Sequence, residues 1–112
     1  MSDEDKQVPE GAAVFPMIPA ELGVHPLLLA VLHSVVFLDG SEEAIVDPDA
    51  ASEALEYLAS YLQRLEGAEL RRVREDLQVL SALAREENWP KAMAQFLRGF
   101  LSSFGVGKEE QA

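Results

Sequence analysis

Two histidines, His25 and His33, stand eight residues apart. If His25 opens a helix, both fall on a similar face, two turns apart. Two ligands of one metal on a helix want i,i+4 spacing, as in His-Glu-x-x-His. Neither that motif nor the Glu-x-x-His of di-iron sites occurs. His25 therefore reads as a cap or turn residue, and His33 as a hydrogen-bonded histidine in or beside the core. The segment from Asp39 to Asp49 is the most acidic, and its carboxylates could draw a divalent cation. It fails the EF-hand pattern. Counted from Asp39, position 12 is Ala50 where a bidentate Glu is needed, and position 6 is Ala44 where Gly is needed. A solvated turn and helix cap is the expectation there. No metal ligand and no cofactor is assigned.

Nucleophilic chemistry finds little to work with. There is no cysteine, no Gly-x-Ser-x-Gly and no Ser-x-x-Lys. Gly105-Val106-Gly107-Lys108 looks like the end of a phosphate loop, but it lacks the preceding strand and the following helix. Adjacent carboxylates such as Glu86 and Glu87 point in different directions on a helix. Arg71, Arg72 and Arg74 form a basic cluster whose local outlets are Glu75 and Asp76 at i,i+4 from Arg71 and Arg72, and Glu69 at i,i−3 from Arg72. An anion or acidic partner is the sharper alternative. No catalytic residue is assigned.

Aromatic residues give the positive signal. Phe96, Phe100 and Phe104 recur every fourth residue beside Met93, Leu97 and Leu101. Tyr57 and Tyr61 form a second aromatic face. Together they offer more apolar surface than a small monomer needs, which points to a partner. The expected binding surface is Met93, Phe96, Phe100 and Phe104, joined by Phe15, Met17 and Ile18.

These residues need elements to hold them. The chain has 112 residues, 48% of them hydrophobic, enough for one domain with a core and no staples. Residues 1–24 read as a disordered acidic tail followed by an extended apolar arm, because Pro16 and Pro19 forbid a regular helix around Val14, Phe15, Met17 and Ile18. Residues 25–105 read as a helical domain, and 106–112 as a polar tail.

Four helices are expected, over about 26–38, 48–65, 68–87 and 90–104, giving an all-α, four-helix bundle-like domain. The first is apolar nearly all round and should be the most buried. A hairpin pairing Val35–Leu38 with Ala44–Val46 competes with its end, but no third strand exists to support one. In the second helix Asp47 suits the N-cap and Pro48 the first turn. Its stripe, Ala51, Leu55, Leu58, Leu62 and Leu65, follows 4-3-4-3 spacing. The third helix answers with Leu70, Val73, Leu77, Leu80 and Ala84. With Gly67 as a short turn, these two helices should pack as an antiparallel hairpin. Pro90 separates the third helix from the fourth.

Charge narrows the functions. The net charge is −11, and residues 1–63 hold 12 acids against one base, Lys6. Phosphate binding needs clustered positive charge, so nucleic acid and anionic membrane are poor partners. The longest apolar run, Pro26 to Leu38, is shorter than the roughly 20 residues a membrane helix needs. The acidic N-terminus lacks the basic start of a secretory signal, and together with the missing cysteines it suits a cytoplasmic protein. The expected function is a non-enzymatic protein–protein interaction module, self-associating or binding a protein partner through the aromatic face of the fourth helix. The rivals are an enzyme or metal-binding protein using His33 with the loop carboxylates, and an acidic inhibitor that imitates nucleic acid.

Overall fold

The computed structural model describes residues 8–107, so the expectations for the extreme N-terminal tail and for residues 108–112 lie outside the described residues. The fold is all-helical. Four helices follow an arm: α1 (Pro26–Gly40), α2 (Pro48–Leu62), α3 (Gly67–Glu86) and α4 (Lys91–Ser103). No strand occurs among the described residues, so Val35–Leu38 belong to α1.

The helix starts follow from local chemistry. The His25 ring accepts a hydrogen bond from the Leu27 amide through Nδ1, and Pro26 fills the first turn of α1. The Asp47 carboxylate accepts from the Ala50 amide at 2.9 Å, with Pro48 following. Each side chain satisfies an amide that has no partner inside its helix. The stops of α3 and α4 share one device. Asn88 at φ 56° and Gly105 at φ 73° take left-handed conformations. The next amides, of Trp89 and Val106, then reach back to the carbonyls of Ala84 and Leu101.

Two expectations about packing are corrected. Close backbone approach pairs α1 with α2 and α3 with α4, whereas α2 and α3 do not pack along their lengths. The reason lies in their connection. α2 stops at Leu62, and the amides of Gln63, Arg64 and Leu65 fold the chain into a turn by donating hydrogen bonds to the carbonyls of Ala59, Tyr61 and Leu62. Gly67 opens α3 and does not close α2. The Gln63 side-chain amide donates to the Phe104 carbonyl at 2.8 Å, tying the end of α2 to the end of α4.

The second correction concerns α1. It buries Leu28, Leu32 and Val35, but Leu27 and Phe37 are exposed. α3 buries more, with Leu70, Leu77, Leu80 and Ala84. A helix that is apolar all round needs neighbours all round, and α1 has one close neighbour.

The arm of residues 12–24 is extended, as its prolines require, apart from a short 3-10 turn at Ala20–Leu22. It docks on its own domain. The Glu42 amide donates to the Gly11 carbonyl, the Ala13 amide donates to the Ser41 hydroxyl, and Phe15 and Val24 enter the core.

Candidate functional site

The aromatic ridge on α4 meets the arm. Phe15 is 0% exposed and contacts three rings edge-on: His33 at 5.2 Å, Trp89 at 5.8 Å and Phe96 at 6.4 Å between centroids. The row continues from Phe96 to Phe100 at 5.6 Å and from Phe100 to Phe104 at 5.1 Å. These spacings suit the attraction between ring edges and ring faces. Phe100 is 1% exposed. Of the seven residues expected to form one binding surface, Phe15 and Phe100 are therefore core in the single chain. Met93, Phe96, Phe104 and Ile18 are half-buried against that core, and Met17 is 88% exposed. The structure brings Phe15, Phe96, Phe100 and Phe104 together and leaves Met17 facing outward. The sequence reading missed that one ring of the arm plugs the ridge. The signal was present, as Phe15 is the one aromatic residue of an apolar arm that its prolines keep extended.

The histidines divide. His25 caps α1, as its position before Pro26 implies. His33 is half-buried and makes the ring contact with Phe15 where a hydrogen bond was expected. Asp39, Glu42, Glu43, Asp47 and Asp49 are all exposed, and no group of three metal-ligating side chains converges among the described residues. The hydroxyls of Ser34 and Ser60 donate to backbone carbonyls one turn earlier on their own helices.

Of the local pairings expected for Arg71 and Arg72, that of Arg72 with Asp76 forms. Arg72 Nε lies 3.0 Å from both carboxylate oxygens of Asp76. Asp76 is 5% exposed and also accepts the His25 amide at 3.0 Å, while Arg72 donates to the Gly23 carbonyl at 2.9 Å. A buried carboxylate needs such company. The result is a clasp that holds the arm and the start of α1 on α3. Its function is positional.

No family model matches this chain, and none of the curated proteins or solved structures compared with it is significantly similar.

Grooves formed by the described residues mark the surface, and three of them bear on the site. The first, of about 360 Å³, lies between α1, α2 and α4. Val35, Leu55, Ala59, Phe96, Phe100 and Phe104 make its apolar wall, and Asp39 and Glu56 stand at its rim. The second, of about 460 Å³, lies where α1 meets the end of α2 and the start of α3, lined mainly by aliphatic side chains including Leu28, Val31, Leu62, Leu65 and Val73. The third, of about 600 Å³, lies between α3 and α4 and carries Arg74, Arg85 and Arg98. The first two flank α2, whose leucines are only half-covered. Sequence periodicity located those leucines but gave no sign that two flanks would remain open.

Proposed function

We propose that the chain is a cytoplasmic, non-enzymatic protein–protein interaction module. Its α1–α2–α4 groove receives a partner segment that carries an apolar side chain flanked by basic residues. One observation carries the reading: an apolar, aromatic-walled groove has two carboxylates at its rim and, among the described residues, no cation in its lining. An apolar anchor in a concave wall is the usual energetic centre of a protein interface, and rim charges select and steer the partner. The surroundings agree. α2 exposes Asp49, Glu53 and Glu56, and the whole stretch from Gln7 to Gln63 has no Lys or Arg. Tyr57 and Tyr61 stand exposed on the same helix, and tyrosine is enriched at interfaces. The same charge disfavours nucleic acid as the partner.

The test is a titration of isotopically labelled protein with an amphipathic lysine–leucine peptide, followed by NMR. Backbone shifts at Leu55, Ala59 and Phe104 are expected. The pair Asp39→Lys with Glu56→Lys should weaken binding by about tenfold, the effect of roughly 1.4 kcal/mol. An equal reversal on α3, Glu75→Lys with Glu86→Lys, should weaken it much less. Equal effects from both pairs would reduce the interaction to unspecific charge and defeat the reading. A second copy of this chain is the rival occupant. Concentration-dependent light scattering in the wild type, abolished by Phe104→Glu, would assign the groove to self-association.

A further inference from the structure

The α3–α4 groove is chemically unlike the rest of the molecule. The chain carries −11, yet this groove is lined by Arg74, Arg85 and Arg98, and among the described residues no acidic side chain lines it. Seven lysines and arginines lie among the described residues, and three of them converge here. Most exposed arginines in an acidic protein would be expected to settle against a carboxylate, as Arg72 does with Asp76. Arg85 and Arg98 are exposed and make no ion pair among the described residues.

The groove is a built line of charge. Arg74, Gln78, Ser81 and Arg85 follow 4-3-4 spacing, so they form one stripe on α3. At ~1.5 Å per residue, Arg74 and Arg85 stand about 16 Å apart along that stripe. Gly107 returns to Leu70 and Arg74 at the start of α3, so α4 runs antiparallel to α3 and sets Arg98 between Arg74 and Arg85. Ser102 adds a hydroxyl on the α4 side. Gly107, at φ 71°, makes room for the first arginine: a methyl group there would sit 2.6 Å from an Arg74 guanidinium nitrogen.

We propose that this groove binds an acidic peptide segment of a partner protein. Guanidiniums distributed along ~16 Å match carboxylates spread along a chain better than one compact anion. An extended peptide rises about 3.3 Å per residue, so about five residues fill the stripe and place carboxylates on alternate positions over the arginines. Gln78, Ser81 and Ser102 supply the uncharged partners that a peptide backbone requires between charges. The screening length of about 8 Å at physiological salt lets this line act locally despite the opposite charge of the whole molecule. This surface is separate from the α1–α2–α4 groove, and neither reading depends on the other.

The experiment uses a fluorescein-labelled peptide of alternating glutamate and alanine, with anisotropy for affinity and NMR shifts for location. Saturable binding is expected, with shifts along residues 74–85 and 98–102. The pair Arg85→Gln with Arg98→Gln should weaken binding by at least about tenfold, while Arg71→Gln, outside the groove, changes it less than about twofold. Both altered side chains are exposed, so melting temperatures should stay at the wild-type value, which separates lost binding from lost folding. Three results would each overturn the proposal: equal weakening by Arg71→Gln, no saturation at millimolar peptide, or displacement of the peptide by equimolar tripolyphosphate, which would make this a compact-anion site.

Discussion

In α3, Leu70, Leu77, Leu80 and Ala84 are sealed from solvent; in α2 only Ala51 is, and Leu55, Leu58 and Leu62 stay half-buried. Both helices repeat leucine at three- and four-residue intervals. α3 has α4 along one side and receives the arm and the start of α1 through the Arg72–Asp76 clasp. α2 packs closely on α1 and is pinned to α4 at its end by Gln63. A stripe therefore states which face turns inward, while the number of neighbours decides how well that face is covered. The flanks that α2 leaves open are the two apolar grooves.

The largest expected effect comes from the residue that ties the two helical pairs together. Phe15 touches rings on α1, on α4 and in the turn between α3 and α4. Phe15→Ala should cost about 3–5 kcal/mol, read by urea denaturation. It should also expose the α4 rings. A loss below about 1 kcal/mol would mean that the ridge packs without its plug and that the arm is a passive cover.

The next test compares the two stripes directly. Leu80→Ala, at a fully buried position of α3, should cost about 2–5 kcal/mol. Leu58→Ala, half-covered on α2, should cost about 1 kcal/mol, half the transfer value of a buried leucine. Equal losses would show α2 to be as tightly held as α3 and would remove the basis for its open flanks.

Asp76 comes third. Asp76→Asn removes the charge that Arg72 pairs with and keeps the shape. The expected loss is about 1.5–3 kcal/mol, the range for hydrogen bonds to a charged group. Hydrogen exchange at the His25 amide should accelerate in the same variant, because that amide loses its charged acceptor. An unchanged rate would mean that the start of α1 is held by packing alone.

Sequence showed whatever is decided within a few residues. The Asp47 and His25 caps, the prolines that start α1 and α2, and the leucine faces all depend on neighbours in the chain. The Arg72–Asp76 pair was legible as an i,i+4 possibility. Its partners His25 and Gly23 were not, because they come from about fifty residues away. Helix pairing failed for the same reason: Leu58 and Leu77 have matching periods, and a period does not name a partner. At the candidate site, the rings of α4 were readable, but the groove they help to wall also needs Asp39 and Glu56 from α1 and α2. In the α3–α4 groove, Arg74 belongs to the basic cluster legible in the sequence, whereas Arg85 and Arg98 join it only through the pairing of two helices.

The smallest expected effect is the most informative about use. Tyr57 and Tyr61 are 63% and 61% exposed on α2. The Tyr57 ring makes no ring or cation contact among the described residues, whereas the Arg64 guanidinium lies 4.8 Å from the centre of the Tyr61 ring. An exposed contact of that kind contributes about 0.5–1 kcal/mol. Glutamine is a better helix former than tyrosine by a few tenths of a kcal/mol, which offsets part of that loss. Tyr57→Gln should therefore leave stability within about 0.5 kcal/mol of wild type, and Tyr61→Gln should sit only slightly lower. Two large rings that contribute so little to folding are free to serve a partner. In the lysine–leucine peptide titration, both variants should weaken binding although neither changes the melting curve. A stability loss above about 1.5 kcal/mol at either position would show the ring packed and α2 closed on that side. Unchanged binding would place the recognition surface elsewhere on the molecule.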